Sequence, residues 1–177
     1  MAETKREMVI RNQIADFLNV GTQEAPDYVL MGSGFNTIDE NPSAQTDSRI
    51  YINEKAATTT IKSYQTQFPF DTDLMKSEKA VMALYDIGRN QKTGSGAEMD
   101  YVRVELFQKV ESKENEFKAR RFRVAVEVAS CSGAGGEVVK VSGNLNSVGD
   151  FVDGTYNTVT ATFTPAGQTE GRTEDIV

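Results

Sequence analysis

The sequence holds no histidine, no tryptophan and a single cysteine, Cys131, in 177 residues. Without histidine there is no Ser-His-Asp or Cys-His nucleophile pair, no imidazole metal ligand and no imidazole proton shuttle. One thiol builds neither an internal disulfide nor a thiolate zinc site. No run of 18 apolar residues occurs, so no membrane-spanning helix is expected. The opening MAETKREMVIRNQ has no apolar stretch of the secretory kind, so no signal peptide is expected either. Cations are outnumbered, 19 Lys plus Arg against 26 Asp plus Glu, a formal charge of −7. That balance disfavours tight nucleic-acid binding, which needs cations to displace counterions from phosphates. The length suits one domain, 1–177, and the chemistry on offer does not suggest an enzyme or a cofactor.

Period-two alternation dominates what is present. Val102, Val104 and Leu106 alternate with polar neighbours, as do Phe122, Val124, Val126 and Val128, then Val139, Val141 and Leu145, then Val159, Ala161 and Phe163. Tyr64, Thr66, Phe68 and Phe70 form another such run, in which Pro69 predicts an edge or a bulge. Strands are also predicted at 28–31 and 49–52, and an exposed loop over KVESKENEF. One helix is predicted over about 77–90, with Ser77 as N-cap, Glu78 in the first turn and Gly88 near its end. The fold expected is therefore mainly β, an antiparallel sandwich or barrel with one flanking helix. A β core over 28–164 carries an N-terminal arm 1–27, a long polar loop 36–58 and a polar tail 165–177. Met8, Val9, Ile14, Phe17 and Leu18 in the arm suit a helix or a docking segment.

The motifs that suggest chemistry have plainer readings. Gly32-Ser33-Gly34 lacks the third glycine of a dinucleotide loop, and Gly133–Gly136 is followed by Glu137 rather than Lys. Asp150–Gly154 lacks the alternating ligands of a calcium loop. Asp71 and Asp73 share one face of an extended segment and invite comparison with a hydrolase pair, but acidic chains produce such spacing by chance. Cys131 reads as a structural thiol. The basic cluster Arg120, Arg121 and Arg123 reads as a solvated or intersubunit strand face.

Several segments together bear a resemblance: Tyr28–Thr37 (YVLMGSGFNT), Glu40-Asn41-Pro42, Arg49–Lys55 (RIYINEK), Tyr64–Asp73 (YQTQFPFDTD), Asp86–Arg89, Val138–Asp150 and Gly154–Pro165. In this order they resemble bacteriophage major tail tube proteins, of the long non-contractile type. The resemblance implies a virion structural protein, made in the bacterial host cytoplasm, that forms stacked, six-membered rings. It implies contacts with itself and with tape measure, tail terminator and distal tail or baseplate proteins. Double-stranded DNA would cross the lumen without specific binding, and no membrane is involved. A lumen that does not hold phosphates should be acidic or neutral, with Asp71, Asp73, Glu105 and Glu127 as candidates. Asp39, Glu40, Asn41, Pro42 and Arg49 are the ring-stacking candidates. The alternatives are a monomeric β-sandwich binding or virion-decorating module, and the inner tube of a contractile tail or tail-like bacteriocin.

Overall fold

The computed structural model describes residues 6–167. In chain order its elements are β1 (Ile14–Asn19), β2 (Tyr28–Leu30), β3 (Phe35–Ile38), β4 (Ala44–Arg49), β5 (Thr58–Tyr64), β6 (Gln67–Asp73), α1 (Lys79–Arg89), β7 (Glu98–Lys109), β8 (Glu116–Ser132), β9 (Lys140–Ser147), β10 (Val152–Asn157) and β11 (Thr162–Pro165). Short 3-10 turns occupy Arg11–Gln13 and Gly94–Ala97. The strand pairings described below are all antiparallel. A mainly antiparallel β fold with one helix is thus what the sequence makes. The barrel alternative is not: the sheets are open, and no barrel closes among the described residues.

The chain divides into two compact units. The first contains residues up to Gly32, 100–122 and 150 onward. Here β1 lies between β2 and β7, while the first part of β8 pairs with β10, and β10 with β11. Tyr28, Val102, Val104, Ala119, Tyr156 and Phe163 form its core, flanked by Ala15, Phe17, Leu106 and Phe117. Residues 14–19 are a strand, not a helix. Their period was obscured by Asp16, a carboxylate only 2 % exposed in line with Leu18. Burial of such a charge requires full pairing. Asp16 accepts from the Tyr101 hydroxyl at 2.5 Å and from Arg103 Nε at 2.8 Å, and Arg11 reaches it at 2.5 Å. Burial is also the first cause that pushes the Tyr101 phenol up, with the neighbouring Asp16 charge adding to it.

The second unit contains 33–99 and 123–149. The later part of β8 pairs with β9, β9 with β6 and β6 with β3. Phe68, Phe70 and Thr72 on β6 fall in register with Leu145, Gly143 and Val141 on β9, a buried face. Helix α1 buries Ala80, Val81, Leu84 and Ile87. It is shorter than predicted: Glu78, not Ser77, is the N-cap, without a side-chain cap bond, and Asn90 ends it. Gly88 does not stop the helix but lies in its last turn, where a Cβ would stand 2.7 Å from Val128 Cβ. Pro69, expected at an edge or bulge, occupies an interior strand, and the reason is local. A residue's N and C=O point to the same side of a strand, and the Pro69 carbonyl accepts from Asp39 at 3.0 Å, beyond the end of β3. Pairing resumes beyond it at Asn41 and Gln67, so the proline forgoes only the one bond it would have donated toward Asp39.

Elsewhere the strands outrun the sequence reading. β8 begins inside KVESKENEF, leaving only residues 110–115 between it and β7. The last strand starts later than expected, at Thr162, after a turn in which Ala161 takes φ 52°. Most of the tail 165–177, from residue 168 on, lies outside the described residues, as do residues 1–5 of the arm.

Two substitutions test this packing. A Cβ at Gly143 would overlap the Glu127 carbonyl, whereas one at Gly135 meets nothing within 4 Å. Gly143→Ala should cost about 1–3 kcal/mol and Gly135→Ala less than about 0.5 kcal/mol, read from urea midpoints. The Tyr156 hydroxyl is buried without a hydrogen-bond partner, and burial pushes its phenol well up. Removing that unpaired group with Tyr156→Phe should stabilise by about 1 kcal/mol, seen as a higher midpoint at unchanged slope.

Candidate assembly surfaces

Both surfaces described here belong to the second unit. The first is the β4–β5 hairpin, which forms a two-stranded sheet of its own. The expected loop 36–58 is mostly ordered by pairing. Its start is β3. Then the Asp39 N–H donates to Pro69, and Asn41 and Gln67 exchange bonds of 2.8 and 2.9 Å. The chain then turns through Ser43 at φ 50° and runs out along 44–49, returning along 58–64. Of the thirteen hairpin strand residues, only Asp47 is not fully exposed. Cross-strand ties are polar: Ser48 and Thr59 hydroxyls at 2.8 Å, Asp47 to Lys62 at 3.4 Å, and within β4 Asp47 to Arg49 at 3.0 Å. Surface pairs of this kind contribute little, and a lone two-stranded hairpin is marginal in water.

The predicted strand 49–52 is instead the start of the hairpin's connection. Ile50, Tyr51 and Ile52 are 67, 55 and 109 % exposed. Ile61 and Tyr64 on β5 are exposed as well. Three consecutive exposed apolar residues at a hairpin tip mark an interaction site better than scattered surface hydrophobics do. Sequence reasoning took these residues for a strand because β-branched and aromatic residues favour strands. The turn expected at Asn53-Glu54 lies within the connection, but the strand before it ends at Arg49. Of the stacking candidates, Asp39, Asn41 and Pro42 are exposed beside the hairpin's root and Glu40 is half-buried. Arg49 sits at the hairpin's far end, next to the tip.

The second surface is the polar face of the β8-β9-β6-β3 sheet. Register puts Asp71 beside Ser142, Asp73 beside Lys140, and Glu127 beside Asn144. Three of the four acidic candidates thus share one sheet face. Their partners are amides: Asn36 donates to Asp71 at 3.1 Å and to Asp73 at 3.3 Å, and Asn146 to Glu127 at 3.1 Å. An amide holds a carboxylate in place without cancelling its charge, so the face keeps its negative field. Arg123, in the same strand, is ion-paired with Glu98 at 3.2 Å. Glu105 is not with them. It belongs to the first unit, in register with Ile14 and bonded by Gln108.

Among the described residues no cluster of three His, Cys, Asp or Glu side chains could hold a metal ion. Two of the three arginines of the basic cluster turn inward to aromatic rings. Arg120 lies 5.4 Å from the Phe122 centroid and 5.5 Å from that of Phe151, and Arg121 lies 5.1 Å from that of Phe163. Cys131 is exposed near the end of β8.

Because the tip contributes nothing to either core, replacing Ile50, Tyr51 and Ile52 together by Ser should move folding stability by less than about 0.5 kcal/mol. Leu145→Ala, in the second unit's core, should cost about 2–5 kcal/mol in the same urea titration.

No protein-family model matches the sequence, and no curated protein does. Solved structures do match in fold. A chain from the cryo-EM structure of the PVC sheath/tube terminator, part of an extracellular contractile injection system in the extended state, superposes with a TM-score of 0.55. It is 8 % identical over 84 % of this chain and 98 % of its own. A chain of the PVC sheath-tube complex in the extended state gives a TM-score of 0.50 at 9 % identity, over 82 % of this chain and 90 % of its own. The chain therefore has the fold of components of a sheathed, tube-bearing injection machine.

Proposed function

We propose that the protein is a structural subunit of a phage-tail-like tube, built from stacked rings of identical copies. The observation that carries this reading is the β4–β5 hairpin, whose apolar tip Ile50-Tyr51-Ile52 has no use within its own chain. Ordering a marginal hairpin and exposing three apolar side chains costs stability that only a partner returns. The open sheet edges argue the same way, since pairing in a ring removes exposed donors and acceptors that otherwise invite aggregation. Rings are proposed to be six-membered, with residues 39–42 and Arg49 at the ring-to-ring contact. The subunit is proposed to work as a virion component with no catalytic role.

The polar face of the second unit is proposed to line the lumen. Asp71, Asp73 and Glu127 would present net negative charge to passing DNA, and no row of cations would gain counterion-release affinity and stall it. Glu105, in the first unit, is not part of that face. Partners at the tube's ends and interior would be the tape measure, terminator and distal tail or baseplate proteins. The finer reading, a long non-contractile tail, rests on the ordered motifs between Tyr28 and Pro165. The fold likeness to chains of contractile injection systems favours a second one, an inner tube inside a sheath.

Electron microscopy of the purified protein at rising concentration tests the central reading. Wild type should form rings or tubes, and the Ile50/Tyr51/Ile52→Ser variant should remain folded yet fail to stack. A wild type that stays monomeric at millimolar concentration would overturn the reading in favour of a binding module. Co-sedimentation with duplex DNA at about 50 mM salt tests the lumen. Wild-type tubes should leave DNA in the supernatant, and tubes carrying Asp71→Lys, Asp73→Lys and Glu127→Lys should pull it down, less so at about 200 mM salt.

A further inference from the structure

We infer that the hairpin tip of one copy seats in a groove on the first unit of a second copy; this rests on the assembly reading above. The groove has a volume of about 900 Å³ and is formed by the end of β7 with the residues after it, β8 and β10. Phe107 is its apolar centre, a phenyl ring 41 % exposed on its own strand, with Val110 beside it. Register puts Lys118 beside Thr155 and Arg120 beside Asp153, so a cationic margin lies along β8. Glu105 and Glu111 supply an anionic margin on the β7 side.

The tip has the matching parts. Ile50 and Ile52 need apolar cover, which Phe107 and Val110 offer. Tyr51 is the residue type most suited to a cation-flanked pocket, since its ring face attracts Lys118 or Arg120 and its hydroxyl can donate to Glu105. The tip is followed by Glu54 and Lys55 and preceded by Arg49, so charges of both signs meet a margin of both signs. No part of its own chain covers the tip, so the occupant comes from elsewhere. A knob on one part of a molecule that fits a groove on another part makes a head-to-tail contact, which extends an assembly instead of closing a pair. The contact is small. Stable interfaces bury roughly 800 Å² on each partner, more than a three-residue tip supplies. A single pair of copies should therefore associate weakly, while tips engaging together around a ring gain by multivalency.

The test uses full-length chains lacking Cys131 (Cys131→Ser), the sequence's one thiol. One carries Tyr51→Cys and the other Phe107→Cys; the two are mixed, assembled and treated with a short bismaleimide. A cross-linked pair should appear in assembled material and be at least about tenfold weaker between unassembled copies. A second arm swaps charge: Lys118→Glu and Glu54→Lys should each lower tube yield, and the two together should restore it. Lys118 is exposed, so its variant keeps the fold. If tubes form and need the tip, yet Tyr51 and Phe107 never cross-link and Lys118→Glu assembles normally, the docking inference falls and the tube reading stands. If wild type never assembles, both fall.

Discussion

The structure depends first on β8, a single strand whose buried side changes along its length. This strand runs for seventeen residues, hydrogen-bonded to β10 along 116–121 and to β9 along 124–132. Two period-two patterns of opposite phase therefore meet in it, odd-numbered Phe117 and Ala119 giving way to even-numbered Phe122, Val124 and Val126. Ala119 enters the first unit's core, and Val124 and Val126 are buried in the second. A slip of one residue would turn every one of these side chains to the wrong face. Its pairing with β9 also shifts register between Val128 and Ser130, just past the position where Gly88 brings the helix backbone against Val128.

The parts of the fold that were legible are those where burial and polarity agree. The run 122–128 read as a strand because its inward residues are apolar and its outward ones are not. The helix read correctly in its middle because Ala80, Val81, Leu84 and Ile87 repeat at helical spacing. Legibility failed where chemistry is paired across the chain. Asp16 looks like a solvent residue until Arg103 and Tyr101, some ninety positions away, are known to meet it. The start of β8 looked like loop because the run 109–117 is rich in Lys and Glu, yet Glu116 and Phe117 pair with Asn157 and Tyr156 of β10. Pro69 misled because a paired strand tolerates the loss of one donor when the bonds on either side of it are kept.

The candidate site was legible in location more than in form. The segment after Asn36 carries the exposed surface, as its polar composition suggested, but it is a hairpin whose important residues are its least polar ones. Strand propensity and solvent exposure conflict at Ile50-Tyr51-Ile52, and a conflict between local preference and burial is a common mark of a functional position. The acidic candidates on β6 and β8 were found from their alternation. Glu105 met the same criterion and yet stands in the other unit, because alternation identifies a face within one strand and says nothing about which strands share it.

The amides on that face bear on how a conduit differs from a merely acidic surface. Carboxylates crowded on one sheet face repel each other, and the usual remedy is an interleaved lysine or arginine. That remedy removes the field and offers phosphate a cation. Asn36, bridging Asp71 and Asp73, and Asn146, on Glu127, do something else. They fix the carboxylates with neutral donors, and Lys140, in register beside Asp73, is a cation on the same face. Replacing such an amide by lysine would ease the crowding and at the same time create a phosphate contact. For the lumen lining proposed above, asparagine on β3 and β9 serves better than a further lysine or arginine would, because it adds no cation to hold a phosphate.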